Sequence, residues 1–121
     1  MDHPRTILVI DDDDAMLELL ASLLSDEGYA VRTAHSGLIG LTAISEAPPG
    51  LVLLDWMMPF MRGDEVLRRI RAGIHASVPV VILSANGDAH ALLAEGANAF
   101  MQKPFDLDAL LTCVGGFFAA P

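Results

Sequence analysis

The residues of this 121-residue chain that could do chemistry stand where short apolar runs end. Asp11 and Asp12 follow ILVI, Asp55 follows LVLL, Ser84 follows VVIL, and Lys103 follows AFMQ. Carboxylate oxygens are hard ligands that suit Mg²⁺, and an aspartate beside such a metal can act as a nucleophile toward a phosphoryl group. A metal and an ammonium group can then neutralise charge on the transferring oxygens. This chemistry requires a fold that brings the separate groups together.

Between these groups, strand and helix patterns alternate five times. Continuous apolar runs bounded by polar residues predict strands buried on both faces, and apolar residues at helical spacing predict helices. The predicted strands are Ile7–Ile10, Tyr29–Ala34, Leu51–Leu54, Pro79–Leu83 and Ala99–Gln102. The predicted helices are Ala15–Glu27, a segment capped by Ser36 that includes residues 38–44, Asp64–Ala72, Ala89–Glu95 and Leu107–Val114, with Gly115 and Gly116 expected to end the last one.

This alternation predicts a doubly wound α/β fold, in which a five-stranded parallel sheet has helices on both faces and right-handed crossovers. Ligands bind to such sheets outside the carboxyl ends of the strands, at the switch in strand order. The acids, the serine and the lysine should therefore meet at one edge of the sheet. Within the acidic run, Asp13 and Asp14 are better explained as caps of the first helix than as ligands, because negative charge suits a helix N-terminus.

The composition is typical of one globular domain. Hydrophobic residues make up 53% and charged residues 19% of the chain, and no apolar run approaches the roughly 18 residues of a membrane span. The opening MDHPRT lacks the form of a signal peptide, so we expect a soluble, cytoplasmic protein. Cys113 is the only cysteine, which excludes an intrachain disulfide, and we expect it to be buried. A formal charge of −9 argues against direct binding to nucleic acid.

Four motifs follow one another, each at a predicted strand end: ILVIDDD, LVLLDWMMP, VVILSA and KPF. Together they span nearly the whole sequence and resemble the response-regulator receiver domain of two-component signalling, of the chemotaxis-receiver type. The resemblance implies a flavodoxin-like sheet with strand order 2-1-3-4-5. It also implies that residues 1–121 form a single receiver domain.

By this resemblance, Asp55 is the phospho-acceptor. Asp12 would be a direct ligand of Mg²⁺ or Mn²⁺, and Asp11 would lie beside it, often contacting the metal through water. The backbone carbonyl of Met57 would supply a further ligand, which leaves the Met57 side chain free to vary.

The resemblance also implies a switch that reads the state of the acceptor. Ser84 takes the place of the switch hydroxyl, and Phe100 matches the aromatic that swings inward when that hydroxyl engages the phosphoryl group. Lys103 would pair with the acidic pocket and the phosphoryl group, and its bond to Pro104 is usually cis in this family. Phe100 lacks the hydroxyl of the commoner tyrosine, so it cannot donate a phenolic hydrogen bond.

The implied phosphodonor is a histidine kinase or a phosphotransfer protein, and the implied enzymatic activity is limited to self-phosphorylation and autodephosphorylation. A homodimer formed on phosphorylation would be a further assembly. A second hypothesis is a receiver-like adaptor that binds proteins without switching. A third, a small aspartate-nucleophile phosphatase, is disfavoured because the chain has no second domain to cover a substrate.

The interval from Ser84 to Lys103 departs from the family pattern. It is 19 positions, about three fewer than usual, which is close to one helical turn. We therefore expect the fourth helix, or the loop before it, to be short. We hypothesise that signalling uses a face other than the usual one of fourth helix, fifth strand and fifth helix, or a remodelled version of that face.

Two further expectations concern the loops around the site. We expect Trp56 to be partly exposed beside the site. Met57 and Asn86 lie two positions beyond Asp55 and Ser84, at sites that shape water access in this family. A bulky Met57 there predicts slow autodephosphorylation.

Overall fold

A computed structural model of the protein describes residues 5–85 and 89–118. Its elements alternate as predicted, and the five strands form one parallel sheet with the order β2-β1-β3-β4-β5. The strands are β1 (Thr6–Ile10), β2 (Ala30–Ala34), β3 (Leu51–Asp55), β4 (Val80–Ser84) and β5 (Ala99–Gln102). The helices are α1 (Asp14–Asp26), α2 (Gly37–Glu46), α3 (Gly63–Ala72), α4 (Ala89–Ala94) and α5 (Leu107–Phe118). The predicted fold class and strand order are confirmed.

Alternating side chains of the sheet enter two separate cores. Leu8 and Ile10 of β1 pack on one side, in a cluster with buried residues of α2, α3 and α4. Ile7 and Val9 point the other way, into a cluster with buried residues of α1 and α5. Because both faces are covered by helices, the central strands are apolar without alternation, as in other buried parallel sheets.

Strand register aligns the carboxyl ends at one edge. Ile10 pairs with Ala34 of β2 on one side and with Leu54 of β3 on the other. The chain leaves β1 toward β2 and later returns to β3 on the opposite side, so the switch in strand order lies between β1 and β3. Ligand sites of doubly wound folds lie at this position.

The start of α1 accounts for part of the acidic run. Asp13 is the N-cap, and its Oδ1 accepts hydrogen bonds from the backbone N–H groups of Ala15 at 3.0 Å and Met16 at 3.4 Å. Asp14 occupies the first turn, where its charge suits the helix dipole. The prediction that Asp13 and Asp14 stabilise the start of the first helix is confirmed.

The C-terminal helix differs from the expectation. The pair Gly115 and Gly116 was expected to end the helix, but α5 continues through both to Phe118. The ring of Phe118 packs against Tyr29, with the ring centroids 5.2 Å apart, and this contact outweighs the weak helix propensity of glycine. Cys113 is half-buried beside the same core rather than fully buried.

The fourth helix is short, as the interval between Ser84 and Lys103 predicted. It has 6 residues, whereas the other four helices of the described ranges have 10 to 13. None of the helices in the described ranges is both long and apolar enough to cross a membrane.

Candidate functional site

The ends of four strands bring the predicted site residues to the same edge of the sheet. Asp11 follows β1, Asp55 ends β3, Ser84 ends β4, and Lys103 follows β5. The β1–β3 register pairs the residues that precede Asp11 and Asp55, so these two aspartates stand on neighbouring strands. The backbone N–H of Lys103 donates to the carbonyl of Ser84 at 2.8 Å, which fixes the exit of β5 against β4.

The lysine bridges two of the acids. Lys103 Nζ lies 3.1 Å from Asp11 Oδ2 and 3.2 Å from Asp55 Oδ1, and it reaches these atoms past the intervening strand β4. The Asp11 and Asp55 side chains are only 1% and 7% exposed. Buried charges require partners, and each of these carboxylates has a cation within hydrogen-bonding distance.

The first two acids differ in exposure. Asp11 is buried, and its Oδ1 accepts the backbone N–H of Asp13 at 3.0 Å while its other oxygen faces Lys103. Asp12 is exposed at the mouth of the site. The position of Asp11 is therefore set by hydrogen bonds on both oxygens, whereas Asp12 faces solvent.

Electrostatics in this cluster are unbalanced. Burial and, after it, the Asp11 carboxylate raise the pKa of Asp55, and Lys103 opposes this increase only in part, so the net pKa is about 6. Burial alone would lower the pKa of Lys103, but Asp11 and Asp55 outweigh that effect and the net change is upward. By formal charge, the cluster sets three carboxylates against one ammonium group, which leaves an excess of negative charge.

The donor set fits a divalent cation. Asp11, Asp12 and Asp55 each offer a carboxylate oxygen, and these three atoms lie within 4.8 Å of one another. Hard oxygen donors on few carboxylates suit Mg²⁺, which keeps several of its waters. The excess negative charge would be neutralised by such an ion.

Comparison with known proteins agrees with the geometry. The sequence profile described as "Response regulator receiver domain" matches residues 7–115. The chain belongs to the response-regulator receiver domain family. This places it in two-component signalling and explains why the acidic and basic groups lie at the carboxyl edge of a five-stranded sheet.

Several full-length regulators are similar to this receiver domain. It is 38% identical over 118 residues to the Escherichia coli transcriptional regulatory protein GlrR, covering 94% of this chain and 26% of that protein. It is 40% identical over 108 residues to the Bacillus subtilis uncharacterized transcriptional regulatory protein YkoG, covering 87% of this chain and 47% of that protein. The chain thus spans between a quarter and a half of these relatives.

Solved structures show the same architecture. A putative response regulator from Chloroflexus aurantiacus matches with a TM-score of 0.86 at 34% identity, covering 98% of this chain and 100% of that one. The receiver domain of NtrX from Brucella abortus matches with a TM-score of 0.84 at 35% identity, covering 92% and 96%.

The remaining predicted residues of the receiver domain lie around this cluster. Ser84 is fully buried at the end of β4. Phe100, in β5, is half-buried and packs against the core formed with α2, α3 and α4. The Met57 side chain is 55% exposed, and the Lys103–Pro104 peptide bond is cis, as expected. Asn86 lies outside the described residues.

The prediction for Trp56 is wrong. Its side chain is 8% exposed and packs in the core with α3, not beside the site in solvent. The backbone N–H of Trp56 donates to the Leu83 carbonyl at 3.0 Å, so the strand pairing extends past Asp55.

Sequence reasoning also missed the role of Gly63. A Cβ atom at Gly63 would lie 2.7 Å from Trp56 Cα and 2.8 Å from the carbonyl oxygen of Asp55. Only glycine allows α3 to begin this close to the backbone of the candidate site. A glycine at the start of a helix is the available signal in the sequence, but it does not reveal which backbone lies opposite.

Proposed function

We propose that this receiver domain accepts a phosphoryl group on Asp55 from a histidine kinase or phosphotransfer protein and switches state as a result. The observation that carries the proposal is the cluster at Asp55. This buried carboxylate lies 3.2 Å from Lys103 Nζ and shares its site with two further acids. An acceptor needs an ionised carboxylate, and a pKa of about 6 leaves Asp55 mostly ionised at neutral pH.

Asp11, Asp12, Asp55 and the backbone carbonyl of Met57 would hold Mg²⁺, or Mn²⁺ in its place. When bound, such an ion neutralises negative charge on the transferring phosphoryl oxygens. The three clustered carboxylates support this assignment. The exposed Met57 side chain is compatible with a ligand role for its backbone alone.

Each residue of the site would have a separate role in phosphoryl transfer. An Asp55 carboxylate oxygen forms the new bond to phosphorus as the bond between phosphorus and the leaving atom of the donor breaks. Lys103, protonated throughout, faces the added negative charge. The Ser84 hydroxyl then donates to a phosphoryl oxygen, and Phe100 turns inward from its half-buried position.

The partners follow from the same chemistry. The donor is a phosphohistidine on a kinase or phosphotransfer protein, and the receiver of the signal is an effector domain or protein. The relatives GlrR and YkoG are described as transcriptional regulatory proteins and extend well beyond the matched region. We infer that this chain controls an output of that general kind from the cytoplasm, with contacts to nucleic acid left to the effector.

Labelling with acetyl phosphate and Mg²⁺ tests the acceptor directly. Intact-mass analysis should show one added phosphoryl group on the wild type and on Asp26→Asn, which removes an exposed carboxylate at the end of α1. Asp55→Asn should remain folded and unlabelled. A phosphoryl group that still appears on Asp55→Asn would refute Asp55 as the acceptor.

A non-switching adaptor is the second candidate, and the 6-residue α4 is the observation that favours it. In the wild type, a switching receiver should respond to acetyl phosphate and Mg²⁺ with a change in fluorescence of the buried Trp56, which directly follows Asp55. An adaptor that has lost switching should give no such change. Mg²⁺ alone serves as the control for metal binding.

A further inference from the structure

Phe60, in the loop between β3 and α3, combines two unfavourable features. Its side chain is fully exposed, so the ring lies in solvent. Its backbone has a φ of +65°, and the Met61 N–H donates to the Pro59 carbonyl at 2.7 Å across it. This three-residue turn with positive φ is rare and strained for a bulky residue. Glycine or asparagine would fit the turn with less strain, so the local fold gives no reason for phenylalanine.

The ring stands beside an apolar groove. Phe60, Pro59 and Leu38 line a groove of about 510 Å³ between the start of α2 and the β3–α3 loop. Leu38 is 62% exposed and also lines a neighbouring groove with Ile39, which is 42% exposed. We call the surface formed by Leu38, Ile39, Pro59 and Phe60 the α2 face. Exposed apolar residues that cluster in this way, rather than standing singly, are typical of an interaction site.

The α2 face carries little charge for a chain of net charge −9. Helix α2 has one ionisable residue, Glu46, at its end. Among the described residues that line the larger groove, Asp12 is the only carboxylate, His35 is the only other titratable side chain, and none is Lys or Arg. Two copies of this acidic chain would repel each other least at such a surface. A basic partner would find a single carboxylate there, and that carboxylate belongs to the candidate metal site.

The face also has the two complementary shapes that self-association needs. A two-fold interface uses the same patch on both chains, so the patch must contain both a projection and a recess that receives it. Phe60 is the projection, and the groove beside it is the recess. We propose that the α2 face is a homodimer interface in which Phe60 of each copy inserts into the groove of the other. Self-association through this face requires no phosphoryl group.

Sedimentation velocity on the unmodified full chain tests this interface. The wild type should show a concentration-dependent dimer, and Phe60→Asn and Leu38→Asn should each weaken its Kd at least tenfold, equivalent to about 1.4 kcal/mol. Asparagine tolerates positive φ, so Phe60→Asn should unfold in urea no earlier than the wild type. Ile74→Asn is the matched control, because Ile74 is 88% exposed in the α3–β4 loop and lines grooves other than that of Phe60.

Three results would overturn the proposal. The first is a wild type that stays monomeric up to about 1 mM, which would leave the α2 face to a different protein. The second is a dimer that Phe60→Asn leaves unchanged. The third is a dimer that Ile74→Asn disrupts equally. Salt provides an independent check, since screening the net charge should preserve a dimer held by apolar contact and dissociate one held by charge.

Discussion

Replacing Asp55 with asparagine should stabilise the metal-free protein at neutral pH. Burial and the Asp11 carboxylate raise the pKa of this carboxyl from 3.8, Lys103 offsets only part of the increase, and the net pKa is about 6. At about 1.4 kcal/mol for each pKa unit, the ionised carboxylate costs the folded state about 3 kcal/mol. Asparagine has nearly the same shape without the charge. We expect a gain of about 1 to 3 kcal/mol, with the lower end allowing for solvent that screens the cluster.

This gain depends on pH because Asp55 binds its proton more tightly in the folded state. The unfolded chain releases the proton near pH 3.8 and the folded chain near pH 6. Folding therefore takes up a proton between these values, and the stability contributed by protonated Asp55 is lost as the pH rises toward 6. Asparagine does not titrate. The advantage of the variant should grow from about half its full size at about pH 5 to its full size at about pH 8.

Urea unfolding in EDTA measures this difference. Asp26→Asn, which removes an exposed charge at the end of α1, controls for the general benefit of lowering the net charge and should change stability less. Adding Mg²⁺ should reduce or reverse the advantage, because metal binding stabilises the folded wild type by mass action. An Asp55→Asn variant no more stable than the wild type at about pH 8 in EDTA would refute the electrostatic reasoning.

Three further predictions concern the packing and the loops. Arg71→Met should lower the free energy of unfolding in urea by about 2 to 4 kcal/mol, because Arg71 donates to four acceptors in the α3–β4 and α4–β5 connections. A variant as stable as the wild type would contradict this. Gly63→Ala should lower the free energy of unfolding by about 1 to 3 kcal/mol, because the added methyl group clashes with Trp56. Gly116→Ala, with open space around it, should raise that free energy by about 0.5 to 1 kcal/mol. Equal effects of the two substitutions would count against the packing argument. The bulky Met57 predicts a phosphoryl half-life of minutes to hours in purified protein, and a half-life of seconds would exclude this.

The fold could be predicted because its signals are local and repeated. Each buried strand is a short apolar run, and each run ends in the polar residue that the site requires. Parallel pairing then brings distant strand ends together, so the convergence of Asp11, Asp55 and Lys103 followed from the alternation of strand and helix, whereas the strand order came from the family resemblance. No contact between these residues needed to be known in advance.

The failures have two physical causes. The sequence does not specify backbone direction where a strand ends, so neither the inward turn of Trp56 nor the positive φ of Phe60 could be predicted. Helix propensity is a weak term that tertiary contacts override. The continuation of α5 past Gly115 and Gly116 depends on a ring contact between Phe118 and Tyr29, residues 89 positions apart.

The exposed apolar residues indicate which surface of the domain would contact the next protein in the signalling pathway. The large exposed apolar residues of the described parts of α4 and α5 are Leu93 and Leu107, at 43% and 38% exposure. On the α2 face, Leu38 and Phe60 are more exposed, and their groove also contains the candidate ligand Asp12. A change at Asp55 could therefore reach this face through the β3–α3 loop that carries Phe60. A short α4 and an apolar α2 face together favour output through α2, and a phosphorylated dimer with contacts centred on α4, β5 and α5 would contradict this.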